Sequence, residues 1–232
     1  ESAMASAAKR TIVTCGPGSE ILSACPEGKD LLVGYWDMRG LGQPIRLALE
    51  YAGANYVDVR VLPGAPGTPE YKKFWFDNKE SLGIPFCNLP FLIDGDVKLV
   101  QSNAILRHIA KRYRLPGFDS PAFDMLLDQA NDFDGSFTGM CYGSFNEGAG
   151  AWFTETLPPK LKSWEDWLSR DGATTFLATQ DAPSIADIKL YETLSRIRQI
   201  PQAPALPPKL QSWWDKVDSL PGIQAYKASG EC

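Results

Sequence analysis

Histidine is almost absent from this chain: His108 is the only one among 232 residues. That leaves nothing for a serine–histidine–aspartate triad elsewhere, and nothing for a zinc site of the usual cysteine–histidine kind. The five cysteines (Cys15, Cys25, Cys87, Cys141, Cys232) are odd in number and scattered, with no Cys-x-x-Cys. A dithiol redox centre and a disulfide framework are thereby set aside, and the pattern suits a reducing compartment. A basic excess is missing too. Lys and Arg total 23 against 28 Asp and Glu, a formal charge of −5, so there is no electrostatic footprint for nucleic acid. No apolar run approaches the length of a membrane span. What remains is the composition of an ordinary globular protein, rich in tryptophan with seven, and long enough for one large domain or two small ones.

Residues 1–29 are dominated by Ala, Ser, Gly and charged side chains. They read as an irregular N-terminal extension. Glu1 to Arg10 reads either as a cloning remnant or as the remainder of a processed targeting segment. Thr11 to Thr14 has strand character, but Gly16-Pro17-Gly18 stops it. From Leu31 the pattern changes. Leu31-Leu32-Val33-Gly34-Tyr35 is a buried-type strand and Arg39-Gly40-Leu41-Gly42 a turn. Gln43-Pro44 opens a helix with proline near its first turn, and Gly53 closes it. Asn55 to Leu62 is a second strand, which makes a parallel pair with a right-handed crossover. A Gly/Pro-rich loop follows, and then a short helix from Tyr71 to Leu82.

The next stretch, Pro85 to Tyr113, organises the chain. Phe91 to Ile93 is a short apolar strand, Asp94-Gly95 a hairpin turn, and Val97 to Val100 the return strand. Ser102 stands at a helix N-cap, and Ala104, Ile105, His108 and Ile109 follow at helical spacing. A hairpin that feeds a helix through Gln101-Ser102 offers backbone N–H groups, an amide and a hydroxyl at the positive end of the helix dipole. A small carboxylate fits there. Pro90 suits a cis peptide that leaves the Leu89 backbone free for an extended ligand. An ordinary hairpin with an ordinary cap would read the same. The sum is β-α-β-α-β-β-α, a thioredoxin-like layout over residues 30–114.

Beyond the linker at Leu115 to Pro121 the periodicity is helical. Phe123 to about Tyr142 reads as one long helix. Trp152 to Leu168 reads as another, bent at Pro158-Pro159. Ser184-Ile185-Ala186-Asp187 is a capping box with Asp in place of Glu. Two short helices, Leu210 to Leu220 and Gly222 to Ala228, follow a proline-rich loop. The expected fold is therefore α/β plus all-α: a thioredoxin-like domain, then an all-helical domain over residues 121–228.

Four motifs recur together in this order. They are Gly34-Tyr35-Trp36-Asp37-Met38-Arg39-Gly40-Leu41, Trp75-x-x-x-Lys79, Asn88-Leu89-Pro90, and Gln101-Ser102-Asn103-Ala104-Ile105. The set resembles the cytosolic glutathione S-transferases, the mu class above all, from about residue 31 to about residue 228. The resemblance implies an enzyme that conjugates the glutathione thiolate to hydrophobic electrophiles in detoxification. Glutathione is then a co-substrate and no metal is needed.

It also implies roles. Tyr35 matches the catalytic tyrosine, whose hydroxyl hydrogen-bonds the sulfur. Gln101 and Ser102 match the groups that hold the γ-glutamyl carboxylate, and Leu89, beside Pro90, the backbone that pairs with the cysteinyl part. Trp75, Lys79 and Asn88 match the surroundings of the glycyl end, while Trp36 and Leu41 line the site. For Trp75 core packing is an equal reading. Lys72 stands where the mu class often has arginine. Asp132 matches an acid that reaches the glutathione of a neighbouring subunit in a homodimer. Tyr142 matches a tyrosine of the electrophile site.

Two departures bear on that last region. The family's longer C-terminal tail has no counterpart after Tyr226, and five glycines make residues 135–150 a loose helix. An open electrophile pocket is the expectation. Two other readings stand beside the enzyme. One is a non-catalytic ligand-binding or assembly subunit of a larger complex, docked through residues 1–29. The other, a glutathione-dependent oxidoreductase, lacks a cysteine at the first strand–helix turn. The expected compartment is cytoplasmic, or an organelle after removal of a targeting segment.

Overall fold

Runs of β-branched and aromatic residues make five strands of one sheet in the computed structural model, which describes residues 8–19, 21, 31–143 and 145–231. The strands are β1 (Lys9–Cys15), β2 (Leu31–Trp36), β3 (Asn55–Val61), β4 (Phe91–Asp94) and β5 (Val97–Val100). The helices are α1 (Gln43–Tyr51), α2 (Lys73–Asn78), α3 (Ser102–Arg112), α4 (Pro121–Gly143), α5 (Phe145–Ala151), α6 (Leu157–Ser169), α7 (Ile185–Ile197), α8 (Pro208–Asp218) and α9 (Pro221–Ala228). Contacts divide the chain into two units. One runs to Ile109 and includes the residues from Pro221 onward; the other is Ala110–Leu220.

In the first unit the strand order is β1-β3-β2-β4-β5. β3 is parallel to β1 and β2, and β4 is antiparallel to β2 and β5. From β2 to α3 the elements follow the thioredoxin-like layout. The irregular extension expected over residues 1–29 is corrected between Lys9 and Cys15. There the chain is a seven-residue strand, paired with β3 along its whole length. Residues 1–7, 20 and 22–30 lie outside the described ones. β3 is thereby an internal strand with five of its seven residues buried, as in parallel sheets covered on both faces. Val13 and Cys15 join the core cluster of Val57, Val59, Val61, Trp75 and Phe91. Arg10 pairs with Glu50 of α1 at 2.7 Å and stacks on Tyr226 of α9, 4.5 Å from the ring centre. α9 packs on α1.

In the second unit α7 is buried over its whole stretch from Ile185 to Leu194. Asp187 closes the capping box: its carboxylate accepts the Ser184 N–H at 2.8 Å, and also the Trp213 indole N–H at 2.7 Å. Lys189 has no exposed side-chain surface and meets Asp134 of α4 at 3.1 Å, and Arg196 closes on the same carboxylate. Residues 135–150, expected to be loose for a helix, are helical among the described residues. α4 continues to Gly143, and α5 runs from Phe145 to Ala151. The helix expected from Trp152 to Leu168 is divided instead into a π-turn at Trp152–Thr156 and α6. The prolines sit in the first turn of α6, where a missing N–H costs nothing.

Candidate active site

The register places the site. Gly34 of β2 pairs with Phe91 of β4, and Phe91 pairs with Val100 of β5. The next positions outward are Tyr35, Pro90 and Gln101, so all three motifs end at the same edge of the sheet. Tyr35 is 8% exposed. Its ring lies over the β2–α1 turn so closely that a Cβ on Gly40 would stand 2.7 Å from its hydroxyl, and one on Gly42 2.6 Å from its ring. Gly40 also has φ +38. Any larger residue at either position moves the tyrosine or the turn. Nothing in the residue pattern signals this contact, since both glycines read as ordinary turn residues.

The turn itself is held from below by a residue that the motif comparison passed over. Arg46 of α1 donates to the main-chain oxygen of Met38 at 2.8 Å and of Trp36 at 3.4 Å. Its Nε meets Asp58 at 2.9 Å, both side chains being buried. A charged residue on the apolar face of α1 was the available signal.

Leu89–Pro90 is a cis peptide, as the sequence suggested. Leu89 is buried, but its N–H is not free: the Asn88 side-chain oxygen accepts it at 2.9 Å. Asn88 itself is exposed, so a ligand that takes the Leu89 N–H has only to turn that amide aside. Ser102 is the first helical residue of α3 rather than its N-cap. Gln101 occupies the cap, since its carbonyl accepts the first helical N–H, from Ile105 at 3.0 Å. Gln101 has φ +73, a left-handed conformation that strains a non-glycine residue and that clusters at ligand clamps.

Trp75 is 1% exposed and stacks on Phe91 with centroids 6.1 Å apart, while Trp36 meets it edge-on at 6.3 Å. Trp75 is thus a core residue whatever else it does. Leu41 and Trp36 are half-buried against the same cluster. Lys79 donates to the main-chain oxygen of Cys87 at 3.2 Å and lies 3.5 Å from Glu80. In the other unit, Asp132 and Tyr142 both lie on the exposed surface of α4, Tyr142 with 83% of its area open.

Burial pushes the thiols of Cys15, Cys87 and Cys141 above the ordinary cysteine value; at Cys87 Glu80 adds to this and Lys79 opposes it. Reactive cysteines have the opposite shift. The described thiols therefore do not support cysteine-based redox chemistry. Among the described residues no group of three or more His, Cys, Asp or Glu could hold a metal ion.

Comparison with known proteins agrees with this geometry. The family description "Glutathione S-transferase, N-terminal domain" matches residues 32–111, and "Glutathione S-transferase, C-terminal domain" matches residues 131–230. Glutathione S-transferase 2 of Gallus gallus is 37% identical over 202 residues, covering 85% of this chain and 90% of that protein. Glutathione S-transferase Mu 1 of Oryctolagus cuniculus is 35% identical over 204 residues, covering 86% and 91%. The solved structure of the Onchocerca volvulus Pi-class glutathione S-transferase matches with a TM-score of 0.75 at 27% identity, over 86% of this chain and 93% of that one. The chain belongs to the glutathione S-transferase family, with mu-class proteins among its relatives. It is a transferase, and glutathione is its co-substrate. No described helix is long and apolar enough to cross a membrane.

Proposed function

We propose that the first unit binds glutathione along the sheet edge that carries Tyr35, Pro90 and Gln101, and that Tyr35 keeps the sulfur as thiolate for attack on soft hydrophobic electrophiles. The observation that carries this reading is the Gly34–Phe91–Val100 register, which sets the three motifs side by side. Gln101 and Ser102 receive the γ-glutamyl carboxylate at the start of α3, where the helix dipole favours an anion. The Leu89 main chain pairs with the cysteinyl part once Asn88 turns away. Lys79, Asn88 and Trp75 surround the glycyl end, and Trp36 and Leu41 wall the site. Tyr142 serves the electrophile, and Asp132 the glutathione of a second subunit.

A free thiol has a pKa near 8.5. Lowering it by about two units takes roughly 2.7 kcal/mol of preferential thiolate stabilisation. One hydroxyl donating to an anion supplies that order of energy. The test is a glutathione difference titration from about pH 5 to 9, following thiolate absorbance. A thiolate signal well below pH 8 that Tyr35→Phe abolishes is the expected result. Glutathione binding without that signal would leave a ligand-holding protein and remove Tyr35 from the chemistry.

The homodimer is part of the same proposal. Phe86, on the loop before Asn88, is 93% exposed and held at φ +56. A large apolar side chain presented in this way is a surface for a second copy to cover.

A further inference from the structure

The first unit holds a small cavity that the reaction does not use. It has a volume of about 130 Å³ and is lined by Asp37, Arg39, Gln43, Arg46, Arg60 and Glu231. Arg60 of β3 dominates it. Its Nε meets Asp58 at 2.9 Å, and its Nη1 meets Glu231 at 2.6 Å and Asp37 at 3.5 Å. Its Nη2 is buried and has no hydrogen-bond partner. A buried charged donor left unmet costs more than an ordinary hydrogen bond gains. The Glu231 carboxylate approaches the guanidinium through one nitrogen only, so half of the fork is unused.

We propose that this cavity is an oxyanion site, and that the Glu231 carboxylate is a tethered occupant which a small tetrahedral anion of the sulfate or phosphate type can replace. The shape fits. The volume leaves room for one such ion. An ion free to turn bridges Nη1 and Nη2 together, the paired geometry that arginine favours. The charge fits as well: Arg46 and Arg60 share the one Asp58 carboxylate, and Glu231 is the anion nearest to the Arg60 Nη1. The tether is short. Glu231 follows α9, which ends at Ala228, and the Tyr226 hydroxyl donates to its main-chain oxygen at 2.9 Å. Short tethers act as an effective concentration in the millimolar range, which a free anion has to exceed.

The test uses the full chain and inorganic sulfate. Melting temperature is followed against sodium sulfate, with sodium chloride at equal ionic strength as reference, for the natural protein, Glu231→Ala and the double variant Glu231→Ala/Arg60→Lys. Glu231→Ala is expected to gain a saturable sulfate-dependent rise at roughly tenfold lower concentration than the natural protein, since the tethered competitor is gone. The double variant keeps a cation near Asp58 but loses the fork, and should show only the general salt effect. A Glu231→Ala curve that matches the double variant's would overturn the proposal. Should the double variant fail to fold, equilibrium dialysis of labelled sulfate decides: one ion per Glu231→Ala chain supports the site, and none overturns it.

Discussion

At the scale of single residues, the site depends on how little room Tyr35 has. Gly40 and Gly42 allow its ring to lie on the turn, and Arg46 fixes that turn through two carbonyls. Loss of the hydroxyl in Tyr35→Phe keeps this packing and removes only the donor. Turnover at neutral pH should fall on the order of 10- to 100-fold, since each factor of ten corresponds to about 1.4 kcal/mol of transition-state stabilisation. Steady-state assays with a soft aromatic electrophile, run across pH, would show the loss shrinking as the medium itself ionises the thiol. Gln101 offers a second test. Its φ of +73 costs about 1 kcal/mol in a non-glycine residue. Gln101→Gly is therefore expected to raise stability in urea by up to about 1 kcal/mol and yet weaken glutathione binding by calorimetry. A variant that gained stability and bound equally well would remove Gln101 from the ligand set.

At the scale of elements, α4 and β1 show how local signal and packing combine. Glycines 135, 139 and 143 lie four residues apart on an exposed line of α4, and a Cβ at any of them would meet nothing within 4 Å. Packing does not demand glycine there, and the helix forms in spite of it. Gly139→Ala should stabilise the protein by about 1 kcal/mol through helix propensity alone. Chemical denaturation measures this, and a destabilised variant would mean that something covers this line in solution. β1 shows the reverse case, a segment of weak local signal made regular by its partners. Alternation in Lys9–Cys15 is short, but an open β3 edge supplies a full row of hydrogen bonds, and β1 becomes the edge strand of the sheet in its place. Residues 9–15 are thereby committed to the sheet on the side of β3.

At the scale of the whole molecule, buried charges and one exposed phenylalanine are open to measurement. Burial lowers the ammonium pKa of Lys189 to about 8, with nearby Glu192 opposing. The unfolded chain keeps that proton to its ordinary value near 10.4. Between those limits the unfolded state binds more protons than the folded one, so the Lys189 contribution to stability rises with pH. Other groups run the opposite way. Burial pushes the Tyr226 hydroxyl up to about 12, and its contribution falls as the unfolded tyrosine ionises near pH 10. The clean observable is a difference. The melting temperature of the natural protein minus that of Lys189→Met, in which Arg196 still meets Asp134, should climb from pH 8 to 10. A flat difference would mean that Lys189 stays charged throughout. As for association, Phe86→Ser should shift the protein from about twice 25.5 kDa toward one chain in sedimentation, with the fold intact by circular dichroism. A dimer that survives this change is held elsewhere.

Much of this protein was legible in its sequence because the relevant physics is local. Apolar runs, Asp94-Gly95, Pro90 and the Ser184–Asp187 box each act over a few residues, and each produced the element expected of it. The thioredoxin-like order and the helical half followed, as did the sheet edge on which the candidate residues sit. What only the tertiary structure decided concerns partners far apart in the chain. β1 is a strand because β3 lies beside it, and Ser102 sits one residue inside α3 because the helix begins at the Gln101 carbonyl. The Leu89 N–H is taken by Asn88, Arg46 reaches carbonyls on another element, and Glu231 meets Arg60. A pattern of residue types carries periodicity and turn chemistry. It does not carry which buried donor is left without an acceptor, since that depends on where every neighbouring chain segment comes to rest.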